Sequence, residues 1–288
     1  MALKIWLDGK LVDEADAKIS VFDHGLLYGD GVFEGIRIYS GRIFEMDAHL
    51  KRLYESAKVI RLEIPMGADE LAKAVEKTVE VNGVVDGYIR LVVTRGVGDL
   101  GIEPFTCQGG SLFIIADKIQ LYPEQLYEKG LRVISAATMR THPLTVPPQV
   151  KSLNYLNNIL AKIEALDADA QEAVMYNHEG YVAEATGDNV FIVKNGMIYT
   201  PPVEAGALAG ITRGVVITLA KAEGIQVVET NLTRFDLYVC DEFFFTGTAA
   251  EVIGVIEIDG RVVGEGKPGP ITKLLRKKFF EYAHGKHT

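Results

Sequence analysis

Lys151 is the residue of the sequence best placed to act as a reactive amine. It follows an uncharged stretch, residues 144–150, and directly precedes a segment with leucines at helical spacing. A lysine at a helix N-terminus opposes the helix dipole, and burial together with positive potential favours the neutral form of an amine. A neutral amine can form an imine with a carbonyl group. The alternative is a solvated lysine on a loop.

A carboxylate stands in a similarly unusual place. Glu184 lies within an otherwise uncharged strand and turn, residues 180–187. Because side chains alternate along a strand, Glu184 shares a face with Val182, which predicts an acid that points inward. The alternative is a charged residue that protects an edge strand from pairing.

Three further features could bind an anion. Arg52 lies on a predicted helix beside its apolar stripe, where a surface arginine is the alternative. Residues 210–212 open a helix, and residues 247–250 follow a buried-looking strand. Free backbone N–H groups and hydroxyls at such turns bind phosphate. Together with an imine-forming lysine and an inward carboxylate, these are the groups needed to hold pyridoxal phosphate.

The elements that position these residues follow from hydrophobic periodicity. In the N-terminal half the pattern predicts strands at 5–7, 11–12, 32–39, 42–46, 88–94 and 112–116, with helices at 48–60, capped by Asp47, and 69–81. In the C-terminal half it predicts a strand at 131–137, a helix at 153–165, a meander of strands at 173–176, 181–185 and 190–193, a helix at 211–223, strands at 226–229, 242–246, 252–258 and 261–263, and a final helix. Because strands mostly pair as local hairpins, we expect an α+β (mixed α/β) fold and not a doubly wound parallel sheet.

The length of 288 residues makes two domains the default. The less regular segment 119–130 is the expected interdomain linker. It would separate a small N-terminal α/β domain of residues 1–118 from a large cofactor-binding domain of residues 131–288.

Composition excludes several classes of protein. With 48% hydrophobic and 24% charged residues, the chain is neither disordered, collagen-like nor a coiled coil. A formal net charge of −9 argues against a nucleic-acid partner and against a polybasic membrane surface. The purest apolar run, residues 112–116, is far shorter than the roughly 20 residues of a spanning helix. We therefore expect a cytoplasmic protein with no nucleic-acid and no membrane partner.

Cysteines and histidines give no sign of a metal site. Cys107 and Cys240 lie far apart, which supports neither a disulfide framework nor a CxxC site. The six histidines lack the spacing of metal ligands. We expect no metal ion.

Seven short motifs occur in order along the chain. They are LYGDGVFEGIR at 27–37, HLKRL with SA at 49–57, YIR at 88–90, KSLNYL at 151–156, AEATGDNVF at 183–191, LAGITR at 208–213 and TGTAAEV at 246–252. In this order they resemble the fold-type IV pyridoxal-phosphate enzymes, and most of all the branched-chain amino-acid aminotransferases. The resemblance implies a small α/β sandwich domain and a larger domain with a mixed sheet or pseudo-barrel.

The resemblance also implies roles for residues that match the motifs. Lys151 would bind pyridoxal 5'-phosphate covalently and then shuttle a proton, as the catalytic residue. Glu184 would bind the pyridine nitrogen and keep the ring protonated. Tyr155 would hydrogen-bond the phenolic oxygen. The remaining cofactor contacts would come from Arg52, Ile211, Thr212 and Thr248 at the phosphate and from Leu208 on the ring face.

Substrate residues are implied in the same way. An apolar side-chain pocket would be walled by Tyr28, Phe33 and Tyr155. Arg37 and Arg90 would admit the γ-carboxylate of glutamate, and backbone groups of Thr248 and Ala249 would bind the α-carboxylate. An arginine in a polar corner can serve a carboxylate and leave an apolar wall intact.

The activity that this resemblance implies is transamination. Branched-chain L-amino acids (leucine, isoleucine, valine) would exchange their amino group with 2-oxoglutarate in a ping-pong reaction, so the partners are amino acids and 2-oxo acids. A D-amino-acid aminotransferase and an aminodeoxychorismate lyase are alternatives from the same superfamily. A non-catalytic phosphate- or nucleotide-binding protein built on the Gly-rich loops is the alternative from another class. The resemblance further implies a homodimer, with loop 96–101 reaching the neighbouring subunit, and leaves assembly into a hexamer open.

Overall fold

The computed structural model describes residues 2–119 and 122–285. Two compact units emerge: a small unit of residues 1–119 with 150–154, and a large unit of residues 120–149 with 155–288. The sequence places 150–154 in the large domain, whereas the structure groups these residues with the small unit because they pair with one of its strands. Residues 120 and 121 of the expected linker and 286–288 of the expected large domain lie outside the described residues.

The small unit is an antiparallel sheet covered by two helices. Its elements are β1 (Lys4–Leu7), β2 (Lys10–Asp13), α1 (His24–Tyr28), β3 (Gly31–Tyr39), β4 (Arg42–Ile43), α2 (Met46–Val59), α3 (Ala68–Asn82), β5 (Gly87–Thr94) and β6 (Ser111–Asp117). The strand order is β2-β1-β6-β5-β3-β4. Alternate residues of β3 and β5, such as Ile36 and Ile89, are fully buried and form one core with Leu53 of α2 and Leu71 of α3.

The second helix begins earlier than the sequence predicts. Asp47 was expected to cap it, but the N-cap is Glu45, whose φ of 49° lies in the left-handed region. Strand β4 accordingly ends at Ile43, short of the predicted residue 46. Asp47 lies instead in the first helical turn, where a negative charge is favourable with the helix dipole.

The large unit is built on a nine-stranded mixed sheet. Its elements are α4 (Glu124–Lys129), β7 (Leu131–Ser135), α5 (Leu156–Asp167), β8 (Glu172–Tyr176), β9 (Val182–Ala185), β10 (Asn189–Lys194), β11 (Met197–Thr200), α6 (Ile211–Ala222), β12 (Val227–Glu229), α7 (Arg234–Val239), β13 (Glu242–Gly247), β14 (Glu251–Ile258), β15 (Arg261–Val262) and α8 (Pro270–Ala283). The order is β12-β11-β10-β13-β14-β7-β8-β9, with β15 on β14. Parallel pairs join β11 to β12, β14 to β7 and β7 to β8, and the other pairs are antiparallel. The mixed α/β fold expected from the sequence is therefore confirmed.

The predicted meander of three strands is wrong. Strand β8 pairs with β9, but β10 pairs with β11 and β13. The signal for the β10–β11 hairpin is the Asn195-Gly196 turn, in which both residues have positive φ. Asn-Gly at such a turn is a strong local hairpin signal.

Helix α5 differs from its prediction in position, and its large apolar side chains are exposed. It begins at Leu156 and not at residue 153, so Lys151 is not at its N-terminus. Its buried residues are Asn158, Ala161 and Ala165, whereas Leu156 is 67% exposed and Ile163 is 46% exposed. The large apolar side chains of this helix therefore point away from the core of its own unit.

The remaining differences are short helices. Helix α4 occupies half of the segment expected to be an irregular linker, and its Leu126 and Tyr127 pack against the core of the large unit. Helices α1 and α7 were not predicted, although Thr233 and Asp236 form a capping box at α7. Among the described helices, none has the length and apolar character needed to cross a membrane.

Candidate active site

Residues 150–154 extend the edge of β3 and so determine where Lys151 lies. The N–H of Phe33 donates to the carbonyl of Lys151 at 3.0 Å, and the N–H of Leu153 donates to the carbonyl of Gly31 at 3.0 Å. An antiparallel bridge pairs Val32 with Ser152 between these bonds. Because paired residues share a face of a sheet, Lys151 lies on the face of Phe33.

That face of the small unit carries cations next to aromatic rings. The Lys151 Nζ atom lies 4.5 Å from the ring centroid of Phe33, and the guanidinium carbon of Arg90 lies 4.6 Å from the same centroid. Arg37 is two strand positions from Gly35, which pairs with Arg90, so both arginines share this face. Cation–π contacts fix the position of a charged group without neutralising it. The structure thus brings together Lys151, Phe33, Arg37 and Arg90.

Tyr88 belongs to the same face, although its position in the sequence does not mark it as a candidate. It pairs with Arg37 across β3 and β5, and its hydroxyl occupies the space over Gly35 where a Cβ atom would stand. A glycine within a strand often marks a close approach of another group. In the sequence, Gly35 was the one sign that another side chain, here Tyr88, approaches this strand closely.

Arg52 belongs to helix α2, which packs against the other face of β3. Its Nε and Nη2 atoms donate to the two oxygens of Glu34, both at 2.7 Å. His49, one turn earlier on α2, donates from Nδ1 to Glu34 Oε2 at 2.8 Å. All three side chains are buried. Burial alone would raise the pKa of Glu34, but the hydrogen bonds from Arg52 and His49 outweigh it and hold the pKa at about 2.

The same helix also contacts the lysine segment. Ser56, four residues beyond Arg52, accepts the backbone N–H of Lys151 at 3.1 Å. Burial lowers the pKa of His49, against the opposing influence of Glu34. Its Nε2 atom is buried and has no hydrogen-bond partner among the residues that the structure describes. Glu34 and His49 were missed as candidates. Each lies within a motif, but their contact across β3 and α2 becomes visible only in the folded chain.

In the large unit, Glu184 is a buried carboxylate with a partner on each oxygen. Arg140 Nη2 lies 2.7 Å from Oε1, and the N–H of Leu208 donates to Oε2 at 2.9 Å. Each carboxylate oxygen can accept a further hydrogen bond. Glu184 can therefore bind one more donor, as a protonated ring nitrogen would require. Arg140 lies outside all seven motifs, and sequence reasoning missed it.

Two turns of the large unit fit a phosphate group. Ile211 and Thr212 form the first turn of α6, and no described side chain caps this helix start. At the end of β13, which contacts α6, the hydroxyl of Thr246 is buried and has no hydrogen-bond partner among the described residues. An uncapped helix start and an orphaned hydroxyl both offer donors to an anion.

Glycines allow neighbouring side chains to pack closely against both turns. A Cβ atom at Gly210 would collide with the side chain of Asn189, and one at Gly247 would collide with that of Asp188. The donors that these turns offer, together with Glu184, fit the phosphate and the ring nitrogen of pyridoxal phosphate. Thr248 and Ala249 lie in the second turn and are partly exposed, as is Leu208 before the first.

The other candidates are placed separately. Tyr155 is the N-cap residue of α5 in the large unit. Tyr28 ends α1 in the small unit, where its hydroxyl donates to the carbonyl of Leu100. His24 of the same helix contacts the carbonyl of Asp99 at 2.8 Å. Tyr28 is thus fastened to loop 96–101 and not to the strand face that carries Phe33.

Comparisons with known proteins agree with this geometry. A family model described as amino-transferase class IV matches residues 31–258. A Methanocaldococcus jannaschii protein named "Putative branched-chain-amino-acid aminotransferase" is 55% identical over 277 residues, covering 96% of this chain and 95% of that protein.

Two solved structures are similar over nearly the whole chain. The T.th. branched-chain amino acid aminotransferase complexed with N-(5'-phosphopyridoxyl)-L-glutamate gives a TM-score of 0.95 at 40% identity, covering 100% of this chain and 96% of that chain. The same enzyme complexed with 4-methylvaleric acid gives 0.94 at 40% identity, covering 99% and 95%.

The buried Glu34–His49 pair makes stability depend on pH. Unfolded His49 takes up a proton as the pH falls below about 6.5, whereas folded His49, with its lowered pKa, does so only at lower pH. The unfolded state then binds more protons, so stability falls with falling pH, by up to about 1.4 kcal/mol per pH unit. We expect the stability advantage of the wild type over His49→Asn to shrink between pH 7 and 5.5 in urea unfolding.

Thr218→Asn is the control, since Thr218 is exposed, lies outside this cluster, and neither side chain titrates in this pH range. The difference in unfolding free energy between this control variant and the wild type should stay constant over the same pH range. A constant difference for His49→Asn as well would contradict a buried neutral imidazole.

Proposed function

The chain belongs to the class IV aminotransferase family, and we propose that it transfers amino groups between branched-chain L-amino acids and 2-oxoglutarate. The cofactor is pyridoxal 5'-phosphate. One observation carries the choice of substrates: a single strand face holds the lysine, an aromatic wall and two guanidinium groups. Such a face suits an aliphatic side chain in one half-reaction and a carboxylate in the other.

We propose that Lys151 is the catalytic residue. Bound pyridoxal phosphate supplies an aldehyde that captures the amine and a ring that withdraws electrons from the substrate carbon. Lys151 would hold that aldehyde carbon and, once displaced by substrate, move the proton between the two carbon positions. Its backbone is fixed on both sides, by Phe33 and by Ser56, so the mobile part is the side chain alone.

The other cofactor roles are proposed from the large unit and from α2. Glu184 would accept the proton-bearing ring nitrogen, and Tyr155 would bind the phenolic oxygen. Leu208, whose N–H binds Glu184, would pack on the ring face. The phosphate would be held by the two open turns and Arg52, that is by Ile211, Thr212, Thr248 and the guanidinium that Glu34 orients.

We propose that Tyr28, Phe33 and Tyr155 wall the side-chain pocket, with Arg37 and Arg90 receiving the γ-carboxylate of glutamate. Thr248 and Ala249 would bind the α-carboxylate. The T.th. relative complexed with 4-methylvaleric acid, a branched aliphatic acid, supports the apolar part of this assignment. Its complex with a phosphopyridoxyl-glutamate supports glutamate as the second substrate.

Domain organisation and location complete the proposal. We propose that the small and large units are two domains, with Lys151 in the segment that joins the small one. We also propose a cytoplasmic location, because Cys107 and Cys240 are both free thiols.

The substrate proposal is tested with a panel of amino donors and 2-oxoglutarate as acceptor. The wild-type protein with pyridoxal phosphate should form glutamate from L-leucine, L-isoleucine and L-valine. D-alanine should give at least about tenfold less, a discrimination of the size that one misplaced group costs. Activity on D-alanine alone would contradict the proposal and favour a D-amino-acid aminotransferase.

We further propose a homodimer. The exposed stripe of α5 has the spacing of one helix face, and its members are Leu156, Ile159, Leu160, Ile163 and Leu166. A second exposed apolar group surrounds loop 96–101 and includes Leu26, Leu27, Leu100, Ile102 and Phe105. Contiguous apolar surface of this kind marks an interface. The second group contains the loop expected to reach the neighbouring subunit, together with the attached Tyr28.

Dimerisation through α5 is tested by Ile163→Lys. The wild type should sediment at no less than twice its chain mass of 31.6 kDa, whereas the variant should move toward the single chain because it buries an unpaired charge. Thr218→Lys adds the same charge at an exposed position of α6 and should leave the wild-type mass. Equal masses for wild type and Ile163→Lys would contradict this interface.

A further inference from the structure

Arg140 is a largely enclosed arginine that no part of the reaction described so far uses. It follows β7 in the large unit, and its side chain is only 9% exposed. Its Nη2 atom pairs with Glu184, its Nε donates to the carbonyl of Gly206 at 3.2 Å, and its Nη1 donates to Asn158 Oδ1 at 3.0 Å. One guanidinium thus joins three separate segments of the chain.

These contacts determine how the Glu184 carboxylate is oriented. Arg140 binds one oxygen, and the N–H of Leu208 binds the other. Donors on both oxygens fix the plane of the carboxylate and leave specific lone pairs for a further donor. The guanidinium also supplies the positive charge that a buried carboxylate needs, since an uncompensated one is costly.

The arginine is itself held in place. Asn158 donates from Nδ2 to the carbonyl of Thr186 at 2.8 Å, close to Glu184 along the chain. Asn157 accepts the N–H of Thr141 at 3.1 Å and donates to the carbonyl of Met139 at 2.8 Å, on either side of Arg140. Both asparagines lie in the first turn of α5. The guanidinium therefore has little freedom to leave the carboxylate.

We propose that Arg140 is a positioning residue that acts through Glu184 on the pyridine nitrogen of the bound cofactor. The proposal rests on the proposed function, since the pyridine nitrogen belongs to pyridoxal phosphate. A merely structural arginine would support every ligand of the site equally. A positioning arginine affects only ligands that possess the ring nitrogen.

Two ligands separate these roles: pyridoxal phosphate and its carbocyclic analogue, in which C–H replaces the ring nitrogen. Dissociation constants are measured by absorbance titration of the full chain after removal of its cofactor. Arg140→Gln should bind pyridoxal phosphate about tenfold to a hundredfold more weakly, the usual cost of losing the group that orients a ligand-binding residue. Affinity for the analogue should change much less. Arg140→Lys, which keeps the charge but not the fork, should recover part of the loss.

A double-mutant cycle adds a second readout. In the Glu184→Gln background, Arg140→Gln should have no further effect on affinity for pyridoxal phosphate, because the group through which it acts is gone. Arg132→Gln is the control: Arg132 forms a surface pair with Glu257 at 3.1 Å, and its loss should change neither affinity. If Arg140→Gln does not fold, as thermal unfolding would show, Arg140→Lys is put through the same two comparisons.

Three outcomes would overturn the role of Arg140. They are equal losses of affinity for the two ligands, no loss of affinity for either ligand, and additive effects of the two substitutions in the double-mutant cycle. These outcomes leave the proposed function standing if the wild type binds pyridoxal phosphate and transaminates L-leucine. A wild type that does not bind pyridoxal phosphate would overturn both the proposed function and the role of Arg140.

Discussion

The backbone pairing of residues 150–154 with β3 is the constraint on which the position of the lysine depends. Val150 and Ser152 are buried and face the core, so Lys151 between them must face the other way. A slip of one residue would put the ammonium group into an apolar core and expose its neighbours. The alternation of buried and exposed side chains over residues 150–152 thus fixes the register of this segment against β3. Strand β3 is itself fixed by pairing along most of its length with β5.

Because the position of β3 is fixed, its two faces present different side chains to different parts of the structure. One face presents Phe33, Gly35 and Arg37 beside the lysine. The other presents Glu34 to α2, where Arg52 and His49 bind it. Because side chains alternate along a strand, β3 separates the groups proposed to bind substrate from the buried ion pair between Glu34 and Arg52, the arginine proposed to bind phosphate.

Both units hold a buried carboxylate through an arginine. Glu34 is bound by Arg52 and Glu184 by Arg140, each with additional donors. Such pairs add little net stability, yet losing one partner costs several kcal/mol, so they act as rigid supports. Burying such a pair costs desolvation free energy. That cost is acceptable at a site whose fixed charges bind a charged ligand.

Local patterns in the sequence were enough to predict most strands and helices. The alternating residues of β3 and the Asn82-Gly83 end of α3 are examples. The fold class and the family also followed, because short motifs keep their order. Pairings between distant segments did not: β10 lies beside β13, far along the chain, and no local signal in β10 specifies that partner.

Periodicity in the sequence reveals the apolar face of α5 but not what covers it, and the structure leaves that face exposed. Arg140 was missed for a related reason. It lies in an irregular loop outside the motifs, and only the folded chain brings it to Glu184.

The most direct test of the account is chemical labelling of Lys151. The wild-type chain is incubated with an equimolar amount of pyridoxal phosphate, the bond between cofactor and amine is reduced with borohydride, and the digested protein is analysed by mass spectrometry. We expect a phosphopyridoxyl group on Lys151 and on no other lysine. A label on a different lysine, or one spread over several lysines, would contradict it.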